Sequence, residues 1–125
     1  MKRLFLVTIF LVTLFLVACG GSKDSTGTIE VKVYNVESEL VYSGEIDFQE
    51  DDSLIELLKE HEEIQMKGED QSFGFYIIEM SGISAEDYEN VFWNIKVNGE
   101  DSLVGISQLK LVDGDLIEFA LISWE

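Results

Sequence analysis

The sequence predicts an α+β domain: a β-grasp-like mixed sheet of about five strands with one helix packed on one face. Three observations predict this fold: alternating apolar residues near both ends of the domain, one segment with apolar residues at helical spacing, and a tight turn at Asn98 and Gly99. Apolar residues at every second position are typical of half-buried strands, and spacings of three and four are typical of an amphipathic helix. The predicted order β-β-α-β-β-β is typical of a β-grasp.

A hairpin is predicted first. Residues 28–34 alternate apolar and polar side chains, and residues 41–48 alternate less regularly, with Ile46 and Phe48 on the apolar side. Two neighbouring strands joined by a short link pair as a hairpin.

The helix is predicted next. Apolar residues recur at helical spacing from Leu54 to Ile64, which indicates an amphipathic helix of about 11 residues. Ser53 and Glu56 have the spacing of a capping box. Residues 65–74 are polar and are interpreted as a loop.

The C-terminal part contains the clearest turn. Strands are predicted at 75–80 and 92–97, separated by an acidic loop. Asn98 and Gly99 both tolerate the positive φ of a type I′ turn, so the chain must reverse there. A second turn at residues 113–115 leads into a closing strand, which we expect to lie centrally, beside the first strand and next to the strand that contains Phe75.

One helix can cover only one face of the sheet. The strand side chains predicted to face it are Ile29, Val31, Val33, Tyr76, Ile78, Met80, Trp93, Ile95, Val97, Ile117, Phe119 and Leu121. The apolar side chains predicted on the far face are Tyr34, Phe75, Ile77, Phe92, Ile122 and Trp124. An exposed apolar patch with polar neighbours usually marks a ligand or partner surface. The alternatives are that loops or a dimer partner cover this face, or that one strand is shifted by one residue.

The N-terminus resembles a lipoprotein leader. Lys2 and Arg3 precede an apolar run that is too short for a comfortable membrane span and ends at Cys19 in a lipobox-like sequence. We therefore expect a signal peptide at residues 1–18, a lipidated Cys19 with a flexible tether at residues 19–27, and a domain at residues 28–125. The alternative is a stray cysteine after an ordinary cleavage site. The protein should be extracytoplasmic and lipid-anchored to the bacterial cell membrane.

Charge limits the partners. The chain has a net charge of −17, and without the leader six basic residues remain against 25 acidic ones, a net charge of −19. Such a charge repels phosphate backbones, which argues against nucleic acid as a ligand.

Catalytic signals are weak. His61 is the only histidine and lies on the apolar stripe of the predicted helix, so we interpret it as a partly buried, hydrogen-bonded residue. The carboxylate clusters lack the spacing of an EF-hand loop and are interpreted as solvated charge. A zinc site is disfavoured, because the chain has one histidine and its one cysteine is expected to carry the lipid. We expect no enzyme activity, no metal and no cofactor.

Several C-terminal motifs resemble one known family. The strand around Trp93, the Asn-Gly-Glu turn, the segment Gly105, Ile106 and Ser107, the Asp-Gly-Asp turn and the ending Leu-Ile-Ser-Trp are similar to the C-terminal domain of transcobalamin and intrinsic factor, which recurs in bacterial lipoproteins. The resemblance implies a domain that closes over one side of a corrinoid, clasped against a separate helical domain in the animal proteins. It also implies that Trp93 and the Gly-Ile-Ser segment lie near the corrinoid.

Two functions are therefore expected. The first is a membrane-anchored ligand-binding lipoprotein for a corrinoid or another small molecule, alongside a transporter. The alternative is a cell-surface protein-interaction module that uses the open face of the sheet. The candidate ligand-binding residues are Phe75, Phe92, Trp93, Gly105, Ile106, Ser107 and Trp124, with Phe75, Phe92 and Trp124 as aromatic anchors on that face.

Overall fold

A computed structural model describes residues 26–124 of the protein. The predicted leader, Cys19 and nearly all of the predicted tether lie outside these residues. Within residues 26–124, no helix has the length and apolar character needed to cross a membrane.

The described part of the chain contains one α-helix and eight strands, an α+β composition as predicted. In chain order they are β1 Gly27–Tyr34, β2 Leu40–Phe48, α1 Leu54–Glu60, β3 Lys67–Gln71, β4 Gly74–Met80, β5 Ile83–Ser84, β6 Val91–Val97, β7 Glu100–Asp101 and β8 Leu116–Ser123. Two 3₁₀ turns lie at Ala85–Asp87 and Ile106–Gln108.

The main sheet has five strands in the order β2-β1-β8-β6-β7. Strands β1 and β8 run parallel, and the other neighbours are antiparallel, so the sheet is mixed as predicted. The last strand lies at the centre beside the first, which the sequence also predicted.

A second sheet, in the order β3-β4-β5, was not predicted. The expected loop at residues 65–74 contains β3, whose side chains are almost all exposed, so its sequence shows no apolar alternation. The strand that contains Phe75 belongs to this second sheet, and the prediction that it flanks β8 is wrong. The β-grasp designation therefore stays a prediction.

The helix is shorter than predicted. It begins at Leu54, as expected, but has seven residues, and the Ser53 side chain makes no capping hydrogen bond, so the predicted capping box is wrong. After Glu60 the backbone becomes extended at His61. The Nδ1 of His61 accepts the N–H groups of Glu63, at 3.1 Å, and of Ile64, at 3.3 Å. These bonds hold a turn where the periodicity alone would continue the helix.

The core lies between the inner face of the main sheet on one side and α1, β4 and the turn Ile106–Gln108 on the other. Its buried side chains are Ile29, Val31, Val33, Ile46, Phe48, Leu54, Leu58, Ile64, Met66, Phe75, Ile77, Met80, Val91, Trp93, Ile106, Ile117, Phe119 and Leu121. The inward positions predicted on β1 and β8 are confirmed, and so is the burial of Trp93 in β6.

The facing of β4 was predicted wrongly over most of its length. Phe75 and Ile77 are buried, Tyr76 is exposed and Ile78 is only partly buried, the reverse of the prediction, whereas Met80 is buried as expected. The β3–β4 register shifts here: Lys67 pairs with Glu79 but Gly68 with Ile77, which leaves Ile78 as an extra residue. Such a bulge reverses the alternation between the two faces. Regular alternation counted back from Met80 therefore assigns Phe75, Tyr76 and Ile77 to the wrong faces.

The turn at Asn98 and Gly99 is confirmed. Their φ values are 54° and 86°, both in the left-handed region that a type I′ turn requires. The Asn98 side chain also binds the start of β8: its Oδ1 accepts the N–H of Leu116 and its Nδ2 donates to Asp115 Oδ1, both at 2.9 Å. The turn thereby fixes the end of β6 against the central strand.

Candidate functional site

The face of the main sheet away from the core, here called the open face, carries the side chains predicted to point there from β1, β6 and β8. Tyr34, Phe92 and Ile122 are partly buried, whereas Trp124, just after β8, is 61 % exposed. The Phe92 and Trp124 rings lie 6.2 Å apart, centroid to centroid, with a 31° tilt. Two of the three predicted aromatic anchors therefore lie side by side.

A groove of about 560 Å³ runs along this face and is here called the open-face groove. Its lining residues are Tyr34, Ser38, Phe92, Asn94, Lys96, Asp101, Glu118, Ala120 and Ile122. They come from β1, β6, β7, β8 and the link after β1, so the central strands of the sheet form its floor.

Strand register gives the groove a graded chemistry. At one end, Glu118 of β8 pairs across the sheet with both Lys32 of β1 and Lys96 of β6. Towards the other end, the pair Phe92 and Ile122 is wholly apolar. A ligand that lies along the groove would contact charged groups at one end and an aromatic floor at the other.

Two hydrogen bonds fix polar groups in the groove. The Tyr34 hydroxyl donates to Glu118 Oε2 at 2.9 Å, and Asn94 Nδ2 donates to Asp101 Oδ1 at 3.1 Å. The bond to Glu118 raises the pKa of Tyr34 above its ordinary value, with further increases from burial and from the negative charges of Glu118 and Glu30. Tyr34 therefore stays a neutral donor well into the alkaline range.

A smaller space of about 180 Å³, here called the edge cleft, lies between β4 and β6. Its lining residues are Phe75, Tyr76, Ile77, Phe92, Trp93, Ile95, Gly105 and Ile106. Five of the seven candidate ligand-binding residues therefore lie together. Trp93 and Ile106 are buried, with 6 % and 2 % exposure, so they form the floor of the cleft and offer little surface to a ligand.

Two candidate residues, Phe75 in the cleft lining and Ser107 outside it, have structural contacts. Phe75 is buried in the core, so its assignment as an anchor on the open face is wrong, for the reason given by the bulge at Ile78. Ser107 accepts the N–H of Phe75 through its Oγ at 2.8 Å, which ties the turn Ile106–Gln108 to β4.

No sequence motif marks the polar lining of the groove. Alternation predicts Tyr34 on this face, but no motif distinguishes Tyr34 or Asn94 from ordinary surface residues. Their position opposite Ala120, the smallest residue of that row, leaves the space between them. Only the pairing of β8 with both β1 and β6 brings them together.

His61 occupies a structural position, as predicted. It is partly buried at the end of α1, and its Nε2 lies 3.0 Å from the Tyr42 hydroxyl. Within residues 26–124, no three His, Cys, Asp or Glu side chains are grouped to hold a metal ion.

Comparison with known proteins assigns the domain. A family model described as "Domain of unknown function (DUF4430)" matches residues 51–123. The chain belongs to this family. A search of curated proteins gave no match.

Two solved structures share the fold of this DUF4430 domain. A Ruminococcus gnavus ATCC 29149 protein, described as a candidate metal binding protein, superposes with a TM-score of 0.63 at 23 % identity over 79 % of this chain and 99 % of its own. Haptocorrin in complex with Cbi superposes with a TM-score of 0.62 at 18 % identity, over 79 % of this chain and 26 % of the haptocorrin chain. The predicted transcobalamin-like fold is thereby confirmed, and this chain corresponds to only a part of haptocorrin.

Proposed function

We propose that the protein is a membrane-anchored, extracytoplasmic lipoprotein that binds a small molecule in the open-face groove, with a corrinoid as the first ligand to test. The observation that carries this proposal is the groove itself, with an apolar floor at Phe92, Ala120 and Ile122 and a rim of hydrogen-bonding groups. Its volume of about 560 Å³ falls within the range of small-molecule sites.

The chemistry of the groove suits a flat ligand with amide side chains. A ring would lie on the apolar floor, where desolvated aromatic contacts supply most of the binding energy. Amide groups at its edge would donate to the carboxylates of Asp101 and Glu118 and accept from Lys96. A corrin has this combination of a broad ring and peripheral amides.

The haptocorrin complex supports a corrinoid in particular. A protein of similar fold was crystallised with Cbi, although its chain is about four times longer than the matched part. An open groove contacts only one face of a large ligand. A second protein, such as a transporter, would supply the other contacts.

The anchor would hold this site near the membrane. The segment at residues 20–27 is short and consists of small and polar residues. A tether of this length limits the domain to tens of ångströms from the bilayer, at about 3.3 Å per extended residue. The domain would then act on ligands or partners at its own cell surface.

The alternative function is a cell-surface protein-interaction module that uses the same open face. The exposure of Trp124 beside Phe92 favours it, since large exposed aromatic side chains are frequent anchors in protein interfaces. The two functions differ in the ligand: the groove residues would bind a small molecule in the first and a protein in the second.

Titration of the purified protein with cyanocobalamin and cobinamide tests the proposal. The variant Phe92→Ser with Ile122→Ser removes the apolar floor, and Leu103→Ser, which alters a 99 % exposed residue outside the groove, is the matched control. Circular dichroism checks folding. Saturable corrinoid binding that only the floor variant loses would support the proposal.

Absence of corrinoid binding by the wild-type protein would reject the corrinoid. Capture of membrane-extract proteins by the wild type and the Leu103→Ser control, but not by the floor variant, would then favour the interaction module. Binding that a folded floor variant retains would reject the groove as the site.

A further inference from the structure

We propose that a further pocket, where the second sheet meets the start of β6 and the end of β8, binds a small organic ammonium ion such as a quaternary amine. This pocket, here called the aromatic pocket, has a volume of about 350 Å³. Its lining residues are Glu69, Gln71, Tyr76, Ile78, Ala85, Glu86, Tyr88, Asn90, Val91 and Trp124. It shares no lining residue with the open-face groove.

Three aromatic rings line this pocket and remain accessible. Tyr76, Tyr88 and Trp124 are 38 %, 45 % and 61 % exposed. They come from β4, from the segment after the turn Ala85–Asp87, and from the end of β8, so the fold brings three separate parts of the chain to one space. Several aromatic rings that line one pocket are typical of sites that recognise quaternary ammonium ions through cation–π contacts.

Neighbouring aromatic rings hold two of these side chains in place. Phe73 contacts Tyr76 edge to face with ring centroids 6.4 Å apart, and Phe92 lies 6.2 Å from Trp124. Such contacts restrict the rotamers of exposed rings and reduce the entropy lost when a ligand binds. Tyr76 and Trp124 are therefore positioned before a ligand arrives.

The charge of the aromatic pocket favours a cation. Glu69 and Glu86 are its charged lining residues, and its lining contains no Lys, Arg or His. Gln71 Nε2 donates to Glu69 Oε2 at 3.2 Å, which keeps that carboxylate beside the pocket. The net charge of the chain, −17, adds a long-range attraction for cations.

An ammonium ion with methyl groups meets both requirements. Its methyl groups pack against the ring faces, and its positive charge is stabilised by the rings and by the two carboxylates. A neutral molecule of the same shape would gain only the apolar contact. The site should therefore distinguish a quaternary amine from its uncharged carbon isostere.

The experiment compares choline with 3,3-dimethyl-1-butanol, in which carbon replaces the charged nitrogen. Calorimetric titration uses the purified full-length protein in a neutral glycosidic detergent, with sodium chloride at equal ionic strength as the blank. We expect saturable binding of choline and of tetramethylammonium, and binding of the neutral alcohol weaker by about tenfold or more. Equal binding of the alcohol, or no binding of either ammonium ion, would overturn the proposal.

Variants locate the binding. Tyr88→Leu keeps apolar bulk but removes the ring, and Glu86→Gln removes one charge at an exposed position; each should weaken ammonium binding by about three- to tenfold. Glu100→Gln removes an exposed charge from β7, outside the pocket, and should leave affinity nearly unchanged. Equal losses of affinity in Glu86→Gln and Glu100→Gln would show that net charge alone accounts for the effect, and would reject the site. Because Glu86 is exposed, this comparison remains valid even if Tyr88→Leu fails to fold.

Discussion

The indole of Trp93 joins the two sheets of this domain by donating a hydrogen bond from Nε1 to the carbonyl oxygen of Ile78, 2.9 Å away. Trp93 belongs to β6 of the main sheet, and Ile78 is the extra residue at the bulge in β4. A bulge leaves its extra residue outside the regular ladder. The bond therefore gives the carbonyl group of the bulge residue a donor from the main sheet.

Replacement of Trp93 by alanine should destabilise the protein strongly. The side chain is 6 % exposed, and removal of a buried tryptophan costs about 3 to 5 kcal/mol. Trp93→Phe keeps much of the apolar contact but leaves the Ile78 carbonyl without its donor, which should cost about 1 to 3 kcal/mol. Urea denaturation measures both. A urea midpoint of Trp93→Ala close to that of the wild type would show that this side chain does not hold the sheets together.

Gly68 should not tolerate a side chain. A Cβ at this position would meet the backbone oxygen of Tyr76 and lie 2.6 Å from the ring of Phe75. Since the backbone oxygen cannot move without disturbing the β3–β4 pair, Gly68→Ala should cost about 1 to 3 kcal/mol. Gly105→Ala is the control, because a Cβ there meets nothing within 4 Å and its φ is −73°. Equal stability of the two variants would contradict the close approach of β3 and β4.

The Tyr34–Glu118 hydrogen bond predicts a loss of stability in alkali. Because the folded-state pKa of Tyr34 is raised, its stabilising contribution is complete below the pKa of the unfolded chain and disappears as the pH rises through the folded-state pKa. Urea midpoints between about pH 9 and about pH 12 should fall more for the wild type than for Tyr34→Phe. Tyr42, whose pKa is raised by burial and by Glu63, contributes a similar loss to both proteins. Parallel curves for the two proteins would reject the role of Tyr34.

His61 should stabilise the turn that ends the helix. Its Nδ1 accepts two backbone N–H groups, so the neutral ring carries its proton on Nε2 and donates it to the Tyr42 hydroxyl. His61→Ala should cost about 1 to 3 kcal/mol, because it leaves backbone donors without a partner, whereas Tyr42→Phe removes one bond and should cost about 1 kcal/mol. Thermal melts compare them. A smaller loss for His61→Ala than for Tyr42→Phe would contradict this assignment.

Cys19→Ala should abolish lipid attachment. The substitution removes the only thiol of the chain, so the protein should move from the membrane fraction to the soluble or secreted fraction. Labelling with a fatty acid analogue and fractionation measure the change. Cys19→Ser, which also lacks the thiol, should behave in the same way. Unchanged labelling of either variant would show that the anchor is elsewhere.

Much of the main sheet could be predicted because its strands alternate regularly. Val31 in β1, Trp93 in β6 and Phe119 in β8 all face the core, as alternation with charged neighbours indicated. The helix start at Leu54 followed from the same reasoning. These elements each bury one face, and burial of one face imposes the period that the sequence displays.

The second sheet could not be predicted in the same way. Strand β3 is an exposed polar edge, and the bulge at Ile78 breaks the period of β4, so neither strand has a readable alternation. The predicted binding site was therefore partly wrong. Phe75 was placed on the wrong face, and the convergence of Tyr76 and Trp124 in one pocket depends on how two sheets meet, which local sequence does not encode.

The parallel pair of β1 and β8 gives the domain a non-local folding problem. Glu30 pairs with Leu116, so the centre of the main sheet joins the first strand of the chain to the last. Contacts of such large sequence separation form slowly, because the loop between them must close first. Until β8 emerges, β1 and β6 lack the neighbour that pairs with both of them. The domain therefore completes its core only after synthesis of its last strand, and a chain that stops before Leu116 lacks the strand that joins β1 to β6.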